Sequence, residues 1–454
     1  MKKKLTLRES VIVASTLFGM FFGAGNLIFP VHIGQLAGSN TLPAALGFIV
    51  TAVGIPILGV ASIGNTHSDD LMQLSSRVSG WYSYAFTILL YLTIGPFFAI
   101  PRCATTSFTV GVIPLINEES VRLAQLIFSL VFFAAVMFFS LRPSGITTWI
   151  GKIINPLFLV LLGALIIVSL THPAANVRDV VPTGTYDSAP FFNGFIDGYN
   201  TMDAIAGLAF GIVIINVIRD LGVESDDDIA RATIRSGILT AVLMGVIYIL
   251  TIIMGAESRG LFEVSDNGGI ALAQISGHYL GGLGSIVLAL TITLACLKTA
   301  IGLVVSCSEI FVKIFPRALG YRGWAIIFTI FSLVVSNAGL TTIINYAVPV
   351  LMLLYPLAIV LIVLALTERL LGGSRYVYAC TTAGAGIAAI FDAAKTLPEG
   401  LQAALDVPAM TQLGSRLLPM FDLGLGWVVP ALIGCIIGYV LYRTRGKSAT
   451  EAQQ

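Results

Sequence analysis

Twelve apolar runs, most of them about twenty residues long, follow one another along this 454-residue chain and leave little room for anything else. An α-helix of that length crosses the hydrocarbon core of a bilayer. With 56% hydrophobic residues, 11% charged residues and a mean hydropathy of +0.92, the chain is too apolar for a single soluble core. Lipid offers no partners to free backbone groups, so each run must satisfy its own hydrogen bonds. We therefore predict an all-α integral membrane protein whose surroundings are a lipid bilayer.

The boundaries of the runs give the predicted domain organisation. The twelve predicted spans are 9–37, 42–64, 81–112, 121–141, 146–170, 193–217, 229–256, 280–312, 323–338, 342–367, 376–394 and 424–443. They form one membrane domain over residues 1–447, and the polar residues 448–454 are predicted to be a disordered tail. The run 81–112 is long enough to be tilted, or broken at Pro96 or Pro101. The apolar start continues past Phe29 with no small-residue cleavage site, which favours a first span over a signal peptide.

The basic residues predict the orientation of the chain. An even number of spans puts both termini on one side, and cytoplasmic loops carry the excess of Lys and Arg. With the N-terminus inside, 18 of the 25 Lys and Arg residues lie on the inner side, 5 lie on the outer side and 2 fall within spans. We therefore predict a multi-pass protein with both termini in the cytoplasm. The two basic residues within spans, Arg102 and Lys298, are candidates for function, because charges inside a membrane are costly.

Several functional classes are disfavoured. The net charge is +1 and no basic tract exceeds Lys2–Lys4, which argues against nucleic acid as a partner. The five cysteines and four histidines have no metal-ligand spacing, so we expect no bound cofactor. An enzyme would need a motif such as HExxH or GxSxG, or paired carboxylates within the spans, and none is present. A channel would need rings of pore-lining residues. No obligate protein partner is evident.

Two of the runs are interrupted by polar residues and glycines. Span 1 contains "LFGMFFGAGNLIFP" (17–30), and span 6 contains "NGFIDGYNTMDAIAG" (193–207). A helix can unwind in a membrane only where its free backbone groups face protein or a cavity. Glycines also mark close packing of helices, and "GMFFG" has the small-xxx-small spacing of such a contact. Asp203 favours a functional break, because a carboxylate at mid-span costs about 2.5–3.5 kcal/mol on insertion scales.

Interruptions at matching positions of two halves are typical of transporters built from an inverted repeat. Spans 1–5, about 9–170, would form the first repeat, and spans 6–10, about 193–367, the second. Spans 11 and 12, about 376–443, would be appended helices. The substrate site of such a protein lies at the two breaks. We therefore predict a secondary transporter rather than a channel or an enzyme.

Six motifs resemble one known family. They are "FGMFFGAGNLIFP" (18–30), "IGPFFAIPRCATTSF" (94–108), "GFIDGYNTMDAIAG" (194–207), "FGIVIIN" (210–216), "LACLKTAIGL" (294–303) and "VVSNAGL" (334–340). This set, in this order, resembles the branched-chain amino acid transport system II carriers of bacteria, the BrnQ-type family. The resemblance implies a bacterial cytoplasmic membrane, the leucine-transporter fold with its five-plus-five inverted repeat, and import of leucine, isoleucine and valine. It also implies coupling to a cation, usually Na⁺.

The helix ends at the two breaks predict the substrate site. Amides at a helix N-terminus attract a carboxylate, and free carbonyls attract an ammonium group. Asp203 could bind the substrate ammonium, bind a coupling cation, or order the break through hydrogen bonds. Arg102 could bind or steer the carboxylate, extend to the membrane surface, or close a gate near the outer end of span 3. The candidate substrate-binding residues are Phe22, Ala24, Gly25, Asn26, Gly198, Tyr199, Asn200, Thr201, Met202 and Asp203.

The resemblance also implies a cation site between span 1 and span 8. In sodium symporters of this fold, backbone carbonyls and two side chains hold the ion, which corresponds here to Gly19, Phe22, Ala295, Lys298 and Thr299. Lys298 departs from that pattern, because an ammonium group has no lone pair for a cation and repels it. Its ammonium could occupy the site itself, so that H⁺ replaces Na⁺, or the side chain could face a cytoplasmic vestibule or the lipid edge. A Na⁺-independent permease or exchanger is therefore the alternative to a Na⁺ symporter.

Overall fold

The structure is a computed structural model that describes residues 5–66, 68, 70–142, 146–223, 225–404 and 407–451, with the backbone alone for 146–158, 226, 404 and 445–451. The regular structure of these residues is helical. The helices are α1 (Leu7–Phe21), α2 (Ala24–Ala37), α3 (Thr41–Ile49), α4 (Ile55–Asn65), α5 (Leu71–Ser76), α6 (Gly80–Leu92), α7 (Ala99–Gly111), α8 (Val121–Ser140), α9 (Ile146–Thr171), α10 (Pro190–Asp197), α11 (Asp203–Asp220), α12 (Asp226–Glu257), α13 (Gly268–Ile314), α14 (Tyr321–Ser336), α15 (Leu340–Leu366), α16 (Glu368–Leu371), α17 (Arg375–Lys395), α18 (Glu399–Ala404), α19 (Val407–Leu417) and α20 (Val428–Glu451).

Each predicted span coincides with one or two of these helices, and the all-α prediction is confirmed. Within the described residues, seven helical stretches are long and apolar enough to cross a membrane, or eight if the bent pair α10 and α11 is one span. The helices Leu159–Thr171, Tyr321–Ser336 and Val428–Thr444 are apolar but shorter. The count of twelve spans therefore stays a prediction. So does the disordered tail, since α20 is described to Glu451 and 452–454 lie outside the described residues.

The two predicted breaks are confirmed. In span 1, α1 ends at Phe21, Phe22 and Gly23 are extended, and α2 begins at Ala24. In span 6, α10 ends at Asp197 and is followed by a 3₁₀ turn, and Met202 then takes a left-handed conformation before α11 begins. The axes of α10 and α11 differ by 46°. Each span is therefore a pair of half-helices with free backbone groups between them.

The packing of the helices follows the predicted inverted repeat, in which spans 1–5 correspond to spans 6–10. The second half of span 1 (α2) packs against span 7 (α12), and the first half of span 6 (α10) packs against span 2 (α3). Spans 3 and 8 (α7 and α13), which correspond to each other, pack together. The appended helices α17 and α20 pack on each other, and α17 also packs on α15.

Glycines allow close approach at both corresponding crossings. A Cβ on Gly34 would lie 1.9 Å from a carbonyl oxygen of α12, and one on Gly255 would lie 2.1 Å from a carbonyl oxygen of α2. At the other crossing, a Cβ on Gly47 would lie 1.9 Å from a carbonyl oxygen of α10, and one on Gly194 2.0 Å from a carbonyl oxygen of α3. Small residues at helix interfaces let backbones pack directly in a membrane. The half-helices beside the breaks are thus anchored by backbone contact.

Two further irregularities shape the region around the breaks. Span 3 contains a π-type turn at residues 93–97, where Gly95 has non-helical angles before Pro96, so the predicted break falls at Pro96 and not at Pro101. The helix α13 begins at Gly268 and bends at Gly281, where φ is +61°. Residues 268–280 therefore form a separate helical arm before span 8. This arm packs on α2, since a Cβ on Gly268 would lie 1.8 Å from the Ile28 carbonyl oxygen.

Candidate functional site

Asn26 joins the two breaks through hydrogen bonds. Its side-chain Nδ2 donates to Asp203 Oδ2 at 2.5 Å and to the Tyr248 hydroxyl at 2.5 Å. Its Oδ1 accepts the backbone N–H of Gly23 at 3.1 Å. Asn26 and Asp203 are only 2% and 4% exposed. A carboxamide donates through its nitrogen and accepts through its oxygen, so span 1, span 6 and span 7 are connected by one amide group.

Asp203 places a buried carboxylate at the first position of α11, where the helix N-terminus favours a negative charge. Its backbone N–H donates to the Thr201 hydroxyl at 3.3 Å, and that hydroxyl donates to the Gly198 carbonyl at 2.9 Å. In the part of the chain that the structure describes, no basic side chain lies within 4.0 Å of this carboxylate. The charge is therefore stabilised by hydrogen bonds and is available to a cationic group.

Met202 keeps the second break open. It has φ +65° and ψ +9°, in the left-handed region that non-glycine residues rarely adopt, and it is 2% exposed. A conformation of this kind costs about 1–3 kcal/mol and persists only where the surroundings impose it. As a result the carbonyl groups of Asn200 and Thr201 leave the helical path and accept hydrogen bonds from outside span 6.

Arg102 provides those hydrogen bonds. It lies in α7, its side chain is 4% exposed, and its Nη1 donates to the Asn200 carbonyl at 2.6 Å and its Nη2 to the Thr201 carbonyl at 3.4 Å. Its Cζ lies 5.3 Å from the centre of the Phe29 ring. The sequence placed Arg102 toward the outer end of span 3 and left open whether it binds or steers a carboxylate, extends to the membrane surface or closes a gate. The structure places its guanidinium group between the two breaks.

Aromatic side chains surround this polar centre. Tyr199, at the break of span 6, stacks on Tyr355 of α15 with ring centres 4.2 Å apart. Phe22, at the break of span 1, stacks on Tyr248 of α12 at 6.3 Å. Tyr248 and Tyr355 were missed by sequence reasoning, because a tyrosine inside an apolar run has no distinguishing signal. Phe97, in the turn at 93–97 of span 3, packs on Phe331 of α14.

A narrow cavity separates the break of span 1 from span 8. It is lined by Phe18, Gly19, Phe22, Gly23, Ala24, Leu27, Ala295 and Cys296. Three of the predicted cation-site residues are among them, and Cys296 was not predicted. The Gly23 N–H is donated to Asn26, so it is not available to the Gly19 carbonyl one turn earlier. Carbonyls in the last turn of a helix have no other partner within it, and oxygen atoms of this kind suit Na⁺.

The other two predicted cation-site residues lie beside the cavity. The Thr299 hydroxyl donates to the Ala295 carbonyl at 3.1 Å, and its methyl group would lie 3.7 Å from a Cβ on Gly23. Lys298 is half-buried, and within the described residues it has no hydrogen bond or ion pair. Its ammonium group therefore does not donate to the carbonyls of the described residues around the cavity. The alternatives for Lys298 stay predictions.

Hydrogen bonds close the side that we predict to be extracellular. The Arg259 Nη1 donates to the Gln35 carbonyl at 2.9 Å, and the Gln35 side chain bonds Ser258 at 3.2 Å and the Ser265 N–H at 3.1 Å. These contacts tie α2 to the end of α12 and to the loop before α13. The Tyr186 hydroxyl donates to Asp197 at the end of α10 at 2.5 Å. The outer half-helices of both broken spans are thus held in place.

Contacts between helices also hold the opposite side. There Arg77 forms an ion pair with Glu368, and Arg235 donates to the Leu5 carbonyl at 3.2 Å. The Thr240 hydroxyl of α12 donates to the Ala14 carbonyl of α1 at 3.0 Å. The inner half-helix α1 therefore has side-chain to backbone ties to span 7 that a conformational change could release.

Comparisons with known proteins agree with this geometry. A family model described as branched-chain amino acid transport protein matches residues 6–445. A branched-chain amino acid permease, BrnQ, of Lactobacillus delbrueckii subsp. lactis is 51% identical over 434 residues, covering 95% of this chain and 96% of the relative. The BrnQ permease of Bacillus subtilis (strain 168) is 38% identical over 450 residues, covering 99% and 100%.

Two solved structures share the fold. The inward-facing conformation of Mhp1 matches with a TM-score of 0.62 at 15% identity, over 96% of this chain and 91% of that chain. MhsT in complex with L-phenylalanine matches with a TM-score of 0.55 at 15% identity, over 96% and 100%. Both likenesses show the leucine-transporter fold, which confirms the predicted fold class.

Proposed function

The chain belongs to the family of branched-chain amino acid transport proteins, and from this premise we propose that it imports leucine, isoleucine and valine across the bacterial cytoplasmic membrane. It is a transporter and not an enzyme, since its relatives are named permeases. The observation that carries the proposal is the buried centre at the two breaks, where Asp203, Asn26 and Arg102 are enclosed by aromatic rings. An amino acid with an aliphatic side chain needs such a combination of charged and apolar surroundings.

Transport proceeds by alternating access in this proposal. The substrate lies between half-helices that can each move relative to spans 3 and 8, and the hydrogen bonds on the two sides open in turn. The outer side is closed by the contacts of Gln35 and Asp197, so the structure supports a state in which the outer path is shut. The ties of α1 to Thr240 and Arg235 would then be the ones that release substrate to the cytoplasm.

A cation drives the uptake in this proposal, and the cavity beside Gly19, Phe22 and Ala295 supports the position of its site. Two versions are open. In the first, Na⁺ binds carbonyl oxygens there together with the Thr299 hydroxyl. In the second, Lys298 turns its ammonium group into the cavity, and protonation replaces sodium binding. A Na⁺-independent permease or exchanger is the alternative function, favoured by the presence of Lys298.

Uptake by the purified protein in liposomes tests the proposal. Radiolabelled leucine should enter in a saturable manner, and unlabelled isoleucine and valine should compete, whereas lysine should not. The uptake is measured with an inward Na⁺ gradient, with an inward H⁺ gradient and with neither. Strict dependence of leucine uptake on the Na⁺ gradient would exclude the version in which the Lys298 ammonium group replaces sodium. Equal uptake under all three conditions, stimulated by leucine inside the liposome, would identify an exchanger, and no saturable uptake of any branched-chain amino acid would overturn the proposal.

A further inference from the structure

Arg102 carries a buried positive charge that nothing in its surroundings neutralises by direct contact. It is 4% exposed, and its Nε has no hydrogen-bond partner among the described residues. Its hydrogen bonds go to two neutral carbonyl groups, those of Asn200 and Thr201. Among the residues that the structure describes, no carboxylate lies within 4.0 Å of its nitrogens. Buried charges in proteins are normally paired, so a guanidinium group in this position lacks an anion.

The guanidinium group lies directly over the first turn of α2. A Cβ on Gly25 would be 2.8 Å from Arg102 Nη2 and 3.2 Å from its Cζ, so the absence of a side chain at Gly25 makes this approach possible. The first N–H groups of a helix have no partner within it and attract anions. The helix α2 has 14 residues, and its N-terminus, with the partial positive charge of a helix start, lies beside the guanidinium group.

A carboxylate is the group that these two sets of donors would bind. Guanidinium binds a carboxylate through paired, charge-assisted hydrogen bonds, and the amides of Ala24 and Gly25 would complete its surroundings. On the other side of the breaks, Asp203 provides the negative charge for an ammonium group. Together the two charges make this centre neutral overall, as a zwitterionic ligand requires.

We propose that Arg102 is the residue that recognises the α-carboxylate of the substrate and makes the transporter select amino acids over amines and amides with the same side chain. This inference rests on the proposed function, because it names a contact to the amino acid that is transported. It differs from a purely structural role for Arg102, in which the guanidinium group would only support the break of span 6. The two roles predict different ligand preferences in variants.

The test compares leucine with leucinamide, which keeps the ammonium group and side chain but replaces the carboxylate by a neutral amide. Binding of both to the purified full-length protein is measured by calorimetry, in the wild type and in the R102Q and R102K variants. The wild type should bind leucine about 10- to 100-fold more tightly than leucinamide, since charge-assisted hydrogen bonds are involved. In R102Q this ratio should fall to about 1–3, and R102K should retain an intermediate ratio, because lysine keeps the charge without the paired geometry.

The ratio of the leucine affinity to the leucinamide affinity distinguishes a defect in recognition from a defect in folding, because both ligands are measured with the same folded fraction of each variant. The R142Q variant, at an exposed arginine near the end of α8, is the matched control and should keep the wild-type ratio. A wild-type ratio in R102Q would overturn the inference. Loss of binding of both ligands in R102Q, with an unchanged midpoint of thermal unfolding, would also overturn the inference and assign Arg102 a structural role. If the wild type binds none of leucine, isoleucine and valine, the proposed function itself fails.

Discussion

At the scale of single residues, the sharpest prediction concerns Asn26. Its amide donates to Asp203 Oδ2 at 2.5 Å, so the N26D variant would place two carboxylates in contact inside the protein. Like charges at this distance repel, and the donor to Asp203 is lost. We expect leucine uptake by N26D in liposomes to fall at least 100-fold. The matched control is N337D, at an exposed asparagine that donates to the Leu333 carbonyl, and its uptake should stay within about twofold of the wild type.

An N26D protein that folds and transports at the wild-type rate would show that the joined breaks are not required for transport. Folding is checked by size-exclusion chromatography and thermal unfolding in detergent. If N26D is active only at low pH, where one of the paired carboxylates can be protonated, repulsion is the cause of the loss. This outcome would support the proposed role of the Asn26 amide.

Some of these residues could be predicted from the sequence and others could not. Asn26 and Asp203 stand out, because an amide and a carboxylate beside glycines are rare in an apolar run. Tyr248 and Tyr355 do not, since the chain has 14 tyrosines and 26 phenylalanines and these two have only apolar neighbours in sequence. For Arg102 the sequence left several roles open, because residue counting along span 3 does not include the turn at 93–97 or the length of an arginine side chain.

At the scale of helices, the glycine crossings are the features most sensitive to substitution. In G194A the new Cβ would lie 2.0 Å from the Ala44 carbonyl oxygen, so α10 and α3 must separate. Overpacking of this kind destabilises a protein by about 1–3 kcal/mol. We expect a lower midpoint of thermal unfolding in detergent, together with weaker leucine binding, because α10 leads into the break of span 6. In the control G163A, the added methyl group meets no atom within 4 Å, and the midpoint should be unchanged or slightly higher.

An unfolding midpoint of G194A equal to that of G163A would mean that the close approach of α10 and α3 contributes nothing to stability.

A glycine inside a span indicates close packing but does not identify the partner helix. The sequence alone therefore could not predict which helices cross at Gly34, Gly47, Gly194 or Gly255. Helix positions and the two breaks were predictable, because apolar length and interrupted polarity are local signals. A break of span 3 at Pro96 was one of the predicted options, because a proline inside an apolar run is also a local signal, whereas the π-type turn at 50–54 was not predicted.

At the scale of the whole molecule, the proposed ion coupling would depend on how span 1 moves relative to span 8. The cavity between them is lined by residues of both, so an ion held there would stabilise one arrangement of the two spans over others. Family and fold follow from sequence signals spread over nearly the whole chain. The coupling ion does not, because in the proposed function it depends on the direction of one side chain, that of Lys298.

The K298T variant should change the response to sodium. The substitution removes a positive charge that disfavours Na⁺ nearby and adds a hydroxyl oxygen next to that of Thr299. We expect the ratio of leucine uptake with and without an inward Na⁺ gradient to rise at least tenfold over the wild-type ratio. The control K313T removes an exposed lysine at the inner end of the same helix, which pairs with Asp70 at 4.0 Å, and should keep the wild-type ratio. If the ratio of uptake with and without the Na⁺ gradient is unchanged in K298T, Lys298 lies outside the cation pathway. If uptake is independent of Na⁺ in the wild type and dependent on Na⁺ in K298T, the coupling charge is assigned to Lys298.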